Sequence, residues 1–436
     1  MIQMMSILVL MVLGSLNFSI GMLFLFMMVV MVILLKSFIG MGSSMYFMGS
    51  SFVYSLIILT VWILFLVFLS SWGVMEEDKM KVFYFNLMCL LLVIFFMVDN
   101  MLMFYLMYES ILIPIFMVIW VGGHQKERME AGLYMILYTL VGSLPLLVMM
   151  MMLFKKVGSV SMEYIGYQMV SISSLVVWFM FVAFLVKLPI YGLHMWLPKA
   201  HVEAPISGSM ILAGVLLKMG GYGIYKMAMI VKFSSYSFLM VYFNAVSLIG
   251  AVYISLICLQ ETDIKKIIAY SSVVHMSMII SGLMSMYSWG VEGSLLMMLA
   301  HGLCSSGLFC LANFMYERIK TRNMLLLKGL SGIFPSLSLF WFIFSVANMA
   351  APPSMNLMSE IMLIGALFKW SLVSLMVVAF MMFFSGFYSI FLYSSSQHGK
   401  MLFYFSMPMI NIREYTLMML HLIPLLIYVV NPMILL

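Results

Sequence analysis

Residues 170–193 read VSISSLVVWFMFVAFLVKLPIYGL. From Leu175 to Val186 every side chain is apolar, and with its flanks the run is long enough to cross a bilayer core of about 30 Å as a helix of about 20 residues. Lys187 follows, and two positions later comes Pro189. That proline has no backbone N–H, so the carbonyl of Leu185 loses its usual helical partner. Irregular backbone at membrane depth is tolerated only inside protein or beside water. The stretch therefore predicts a membrane helix, broken near its end, with Lys187 set against buried water.

The rest of the chain extends this reading. Of 436 residues, 65% are hydrophobic and 8% charged, against about 25% charged in a soluble domain, which excludes a water-soluble fold. Apolar windows recur at 1–13, 17–35, 52–71, 81–98, 101–120, 131–154, 170–193 and 206–231, then at 236–259, 264–286, 290–315, 330–369, 371–393 and 415–435. The expected fold is thus all-α, a polytopic membrane bundle of about 14 transmembrane helices, with the first span short and the twelfth so long that it must be broken. The break is visible in ANMAAPPSMNLMSE, where Pro352 and Pro353 adjoin and Glu360 follows. The seventh and twelfth spans, both interrupted, are five apart. An odd offset reverses orientation, so spans four to eight and nine to thirteen are expected to form two inverted five-helix repeats. The domain division is then 1–80 for spans one to three, 81–231 and 236–393 for the repeats, and 394–436 for the last helix.

Of the 21 Lys and Arg, 13 fall in the loops after odd-numbered spans, 6 on the opposite side, and two, Lys187 and Lys218, within spans. By the positive-inside rule the richer side faces the compartment of synthesis, and both termini face away from it.

Several chemistries are absent from the pattern. Cys89, Cys258, Cys304 and Cys310 lie in apolar stretches without C-x-x-C spacing, so no disulfide, zinc or iron–sulfur site is indicated. No phosphate-cradling glycine motif occurs. His194 and His201 flank Pro198 beside Lys199 and Glu203 in what reads as a turn after the seventh span. That loop offers no complete metal-ligand set, and a buried funnel or a solvated surface fits it better. The 55 methionines are dispersed and read as filler in place of Ile and Leu, as when a mitochondrial genome reads an isoleucine codon as methionine. The opening residues show neither a cleavable signal nor an Arg-rich transit segment, as expected for synthesis inside that organelle.

Glu109 stands midway along the fifth span in YLMYESILIPIF, and Lys218 midway along the eighth in MILAGVLLKMGGYG. A charge at the bilayer centre costs at least about 2.5–3.5 kcal/mol, so each should be paired or face a wet cavity. Two unit charges about 6 Å apart at an effective dielectric of about 20 attract by about 2.8 kcal/mol. That is comparable to the roughly 2.3 kcal/mol of moving one charge through 100 mV, so opening a buried ion pair has the energetic size of moving one charge across the membrane. His275 in IAYSSVVHMS and His301 in LAHGLCSSGLFCLANFMYER lie mid-span among serines and are placed to bridge the charges of the two halves.

The run from Lys187 to Gly223, KLPIYGLHMWLPKAHVEAPISGSMILAGVLLKMGGYG, resembles the central signature of the antiporter-like subunits of respiratory complex I. YESILIPIF, IAYSSVVHMS, LAHGLCSSGLFCLAN and APPSMNLMSE agree in order, so the resemblance covers roughly residues 80–390. It implies proton translocation by Glu109, Lys187, Lys218, His301 and Glu360, with His275, His194 and His201 as possible relays. At the twelfth-span position this chain carries glutamate where two sibling subunits carry lysine, which singles out one branch of the family. The resemblance further implies no cofactor in this chain, with NADH, FMN, iron–sulfur clusters and ubiquinone expected in other subunits. The partners it implies are other complex I subunits, especially neighbouring antiporter-like and accessory ones, and the lipid bilayer; neither nucleic acid nor a second copy of the chain is expected. The location implied is the mitochondrial inner membrane, with both termini on the intermembrane-space side. A free-standing cation/proton antiporter shares the signature and is the rival expectation.

Overall fold

The computed structural model describes residues 46–72, 78–123, 125–168, 172–231, 237–400 and 408–430. The expected spans 1–13 and 17–35 lie outside these residues. Among the described residues every regular element is helical, and the only strand-like pairings are two isolated bridges, Asn100 with Ser161 and Asp263 with Asn323.

The apolar windows become helices α1 (Tyr46–Ser70), α2 (Lys79–Met97), α3 (Met101–Ser110), α4 (Leu112–Gly122), α5 (Arg128–Val157), the short α6 (Met162–Tyr167) and α7 (Ser174–Lys187). After α8 (Trp196–Glu203) come α9 (Ile206–Ile211), a π turn at Leu212–Leu216 and α10 (Leu217–Val231). The second half holds α11 (Ser237–Gln260), α12 (Ile264–Ser285), α13 (Ser288–Ile319), α14 (Pro335–Asn348), α15 (Met355–Trp370), α16 (Leu372–Gln397) and α17 (Ile412–Val430). Among the described residues, eight helices are long and apolar enough to cross a membrane, α3 with α4 counting as one.

Large apolar side chains face outward as well as into the core. On α16 the buried face carries Ser385, Tyr388, Ser389 and Ser396, while Val373, Met376, Phe380, Phe383, Phe387 and Ile390 are exposed at helical spacing. A soluble helix shows the opposite stripe; this one fits lipid or a neighbouring subunit. By contrast, α12 and α13 are 94% and 100% buried over their most apolar windows, so protein, not lipid, surrounds the two helices that carry the histidines.

Three interruptions shape the core. Pro114 cannot donate to Ser110, and the helix is interrupted at Ile111 between α3 and α4. At Pro189, α7 ends, and the freed carbonyl of Leu185 accepts from Ile190 N at 3.2 Å instead. Trp196 Nε1, on the far side of the break, caps the Val186 carbonyl at 3.0 Å. The span read as 170–193 therefore stops at Lys187 and resumes as α8. Pro198, expected in a turn after the span, stands in the first turn of that half-helix, where its missing N–H costs nothing. The twelfth span breaks as expected, into α14 and α15. Ala351 N donates to Val346 O at 3.1 Å, and Asn356 Nδ2 caps the Ala347 carbonyl at 2.7 Å.

The glycines of KMGGYG explain how α10 reaches the first break. A Cβ on Gly220 would lie 2.8 Å from Leu188 N and 3.0 Å from Phe184 O. Both are backbone atoms that cannot yield. Gly220→Val should therefore cost the chain at least about 1–3 kcal/mol through overpacking, read as a lowered thermal midpoint of the assembled protein.

Candidate functional site

Lys187 ends α7 and is 3% exposed. Its Nζ donates to the carbonyl of Tyr108 at 2.8 Å and lies 3.2 Å from the centroid of that ring. The Tyr108 hydroxyl donates to Ala183 O at 2.8 Å, fastening α3 to α7. Glu109, one residue on, is within electrostatic reach of Lys187 but forms no ion pair with it, and among the described residues neither carboxylate oxygen has a hydrogen-bond partner. The expected pair is therefore open: the amine is held by a carbonyl and a ring face instead.

Lys218, fully buried on α10, follows the π turn directly. The wider turn presents the Ala213 carbonyl to Lys218 Nζ, five residues later, which donates to it. Such π turns recur at functional sites. On its other side Lys218 Nζ stands 3.2 Å from His301 Nδ1 on α13. The rings of His301 and His275 lie 5.6 Å apart between centroids. His275 Nδ1, on α12, is 3.6 Å from Glu360 Oε1 on α15. Lys218, His301, His275 and Glu360 thus form one buried file across four helices. No direct contact joins Lys187 to Lys218. Among the described residues, His301 Nε2, His275 Nε2 and Glu360 Oε2 have no hydrogen-bond partner.

The two remaining histidines separate. His194 lies within the first break, stacked on Tyr191, and accepts from Gly192 N at 3.3 Å. His201, expected in a loop, is buried on α8 and stacks on Phe309 of α13 at 4.6 Å with neither ring nitrogen bonded. Among the described residues no three His, Cys, Asp or Glu side chains gather as metal ligands.

Sequence reasoning missed several members of this neighbourhood. Tyr108 was visible beside Glu109, but nothing in its spacing signalled a seat for Lys187. Beyond α8 a groove of about 310 Å3 opens, lined by Glu127, Glu130, Lys199, Glu203 and Lys266. Gln125, with its amide oriented to match its neighbours, donates to Glu203 Oε1 at 2.6 Å and accepts from Arg322 at 2.8 Å. Lys265 Nζ holds the Ala204 carbonyl at 3.3 Å. These partners come from four separate segments, so only the fold unites them. His421, buried on α17, also escaped notice.

Residues 98–385 match the family described as NADH:quinone oxidoreductase/Mrp antiporter, TM. The NADH-ubiquinone oxidoreductase chain 4 of Ceratitis capitata is 45% identical over 405 residues, covering 92% of this chain and 90% of the relative. The chain belongs to the NADH-ubiquinone oxidoreductase chain 4 family. That of Rhipicephalus sanguineus is 46% identical, covering 86% and 85%. In fold, the chain matches one from the structure of respiratory complex I from Thermus thermophilus with bound NADH, at a TM-score of 0.85 over 98% of this chain and 96% of that one, with 22% identity. The matched range 98–385 contains Lys218, His301, His275 and Glu360.

The His275–Glu360 contact makes a direct prediction. In a double-mutant cycle on thermal stability, His275→Ala and Glu360→Gln should show a coupling of about 0.5–3 kcal/mol. Strict additivity would mean that the two side chains do not interact.

Proposed function

We propose that this chain is a proton-translocating membrane-arm subunit of respiratory complex I, coupled to NADH:ubiquinone electron transfer carried out in other subunits. The observation that carries the reading is the buried file Lys218, His301, His275 and Glu360, in which each member can hold or release a proton and neighbouring members touch or nearly touch. Glu109 and Lys187 form the input station. With the amine on the Tyr108 carbonyl, the carboxylate is free, and its swing toward or away from Lys187 changes the ammonium's stability by about 2–3 kcal/mol at an effective dielectric of about 20. A proton displaced from Lys187 reaches Lys218 through water, then passes by His301 and His275 to Glu360. The groove beside Glu203 offers access from the side of the basic loops, with His201 standing between it and the file, and His194 at the break.

The chain works without a cofactor of its own; NADH, FMN, iron–sulfur clusters and ubiquinone belong to other subunits. Its partners are the neighbouring antiporter-like and accessory subunits and the lipid of the mitochondrial inner membrane, with both termini on the intermembrane-space side. It does not form a homo-oligomer.

The architecture belongs to the same proposal: about 14 transmembrane helices, with residues 1–80, the inverted repeats 81–231 and 236–393, and the closing segment 394–436. Matched hydrogen bonds support the repeats. Met101 N to Val160 O and Met162 N to Asp99 O recur as Ile264 N to Arg322 O and Met324 N to Thr262 O. At the breaks, Leu188 N to Phe184 O and Ile190 N to Leu185 O recur as Met349 N to Ser345 O and Ala351 N to Val346 O. The caps on Val186 and Ala347 correspond as well.

A free-standing cation/proton antiporter shares the family description, but the relatives matched over most of their length are oxidoreductase chains. Lys218→Met in a reconstituted complex should abolish coupled pumping. Normal pumping without that amine would rule out the route.

A further inference from the structure

Two helices long and apolar enough to cross a membrane, α5 and α12, start on the basic-loop side, and the half-helix α8 packs against both. The groove of about 310 Å3 lies at these starts, lined by Glu127, Glu130, Lys199, Glu203 and Lys266. The first residues of a membrane span stand at the level of lipid headgroups. Tyr134 and Tyr270 complete the lining, as aromatic side chains do at that level.

Both signs of charge line the groove, and they do not neutralise one another. Among the described residues Glu127, Glu130 and Lys199 form no ion pair, and all three are exposed. Lys199 Nζ instead lies 4.1 Å from the centroid of the Tyr134 ring. Lys266 is held loosely, 3.7 Å from Glu261 and from Asp263, and Glu203 is already bound by Gln125. Unpaired carboxylates at the start of α5 thus face an unpaired ammonium on α8, which complements a molecule carrying one charge of each sign. Three carboxylates against two lysines repel a net anion. Below the charges α5 exposes Leu133, Leu137, Val141, Leu144 and Val148 at helical spacing. That stripe runs about 22 Å at 1.5 Å per residue, more than one leaflet of a core about 30 Å thick.

We propose that the groove binds a phospholipid with a zwitterionic headgroup and a primary ammonium, a phosphatidylethanolamine. Its phosphate takes Lys199 and Lys266, its ammonium takes Glu127 and Glu130, and its acyl chains lie on the α5 stripe. A primary ammonium has three N–H donors for carboxylates. A choline headgroup has none, and the Tyr134 face that could hold its methylated nitrogen is covered by Lys199. The bound lipid ties α5, α8 and α12 together at one point. The inference goes beyond the proton-route reading and does not depend on it.

The test uses the assembled complex in vesicles, with a phosphatidylethanolamine that carries a photoreactive group in one acyl chain. Labelling within residues 127–153 is expected. Unlabelled phosphatidylethanolamine should displace it at least about ten-fold better than phosphatidylcholine or cardiolipin, the effect of hydrogen bonds to a charged group. Glu127→Gln combined with Glu130→Gln should cut the labelling about ten-fold for the same reason. Equal displacement by the three lipids, or undiminished labelling of the double variant, overturns the site. Should that variant fail to assemble, a map of the unmodified complex that resolves lipids decides: phosphate density beside Lys199 is expected, and a groove filled by a neighbouring subunit, or empty, overturns it. Labelling is read without turnover, so a failure of the proton route in Lys218→Met leaves this result standing.

Discussion

A lysine ammonium at membrane depth must be met by oxygen, and helices keep their carbonyl oxygens occupied. Departures from regular helix supply them here. Lys187 reaches the Tyr108 carbonyl just before the interruption between α3 and α4, and Lys218 reaches the Ala213 carbonyl within a π turn. Insertion of an unmet charge costs several kcal/mol, so the irregularities and the lysines require one another. The tight approach of α10 at Gly220 follows from the same constraint, because it presses the second lysine's helix against the first lysine's break.

Much of this was legible in the chain. The composition and window lengths gave the membrane bundle, and Pro189 and the Pro352–Pro353 pair located both breaks. The buried ionisable residues stood out because hydrocarbon tolerates so few of them. What escaped was anything fixed by three-dimensional contact. The bounds 170–193 run past the break because Ile190 and Leu193 continue the apolar run, although the backbone turns at Leu188. His201 read as a loop residue because Pro198 precedes it, yet a proline in a first turn starts a helix as readily as it ends one. The open state of Glu109 and Lys187 was also unreadable, since sequence spacing does not say whether an amine prefers a carboxylate or a carbonyl.

In the proposed route the two halves differ in the side chains they use. The first seats Lys187 over the Tyr108 ring; the second sets Glu360 beside His275 of α12, whose ring neighbours that of His301 on α13. Enclosure matters for a proton route, because protein on all sides of these helices keeps lipid and bulk water away from the file. In the proposed account the file conducts only when the Glu109–Lys187 station discharges, which ties conduction to events in neighbouring subunits.

The central claim is that a proton passes along this file to Glu360 during turnover. Infrared difference spectroscopy on the assembled complex, with and without NADH, tests it most directly. The account predicts a carboxyl C=O band that changes with turnover and disappears in Glu360→Gln. A pumping complex whose turnover spectrum is the same with and without the Glu360 carboxyl would contradict it.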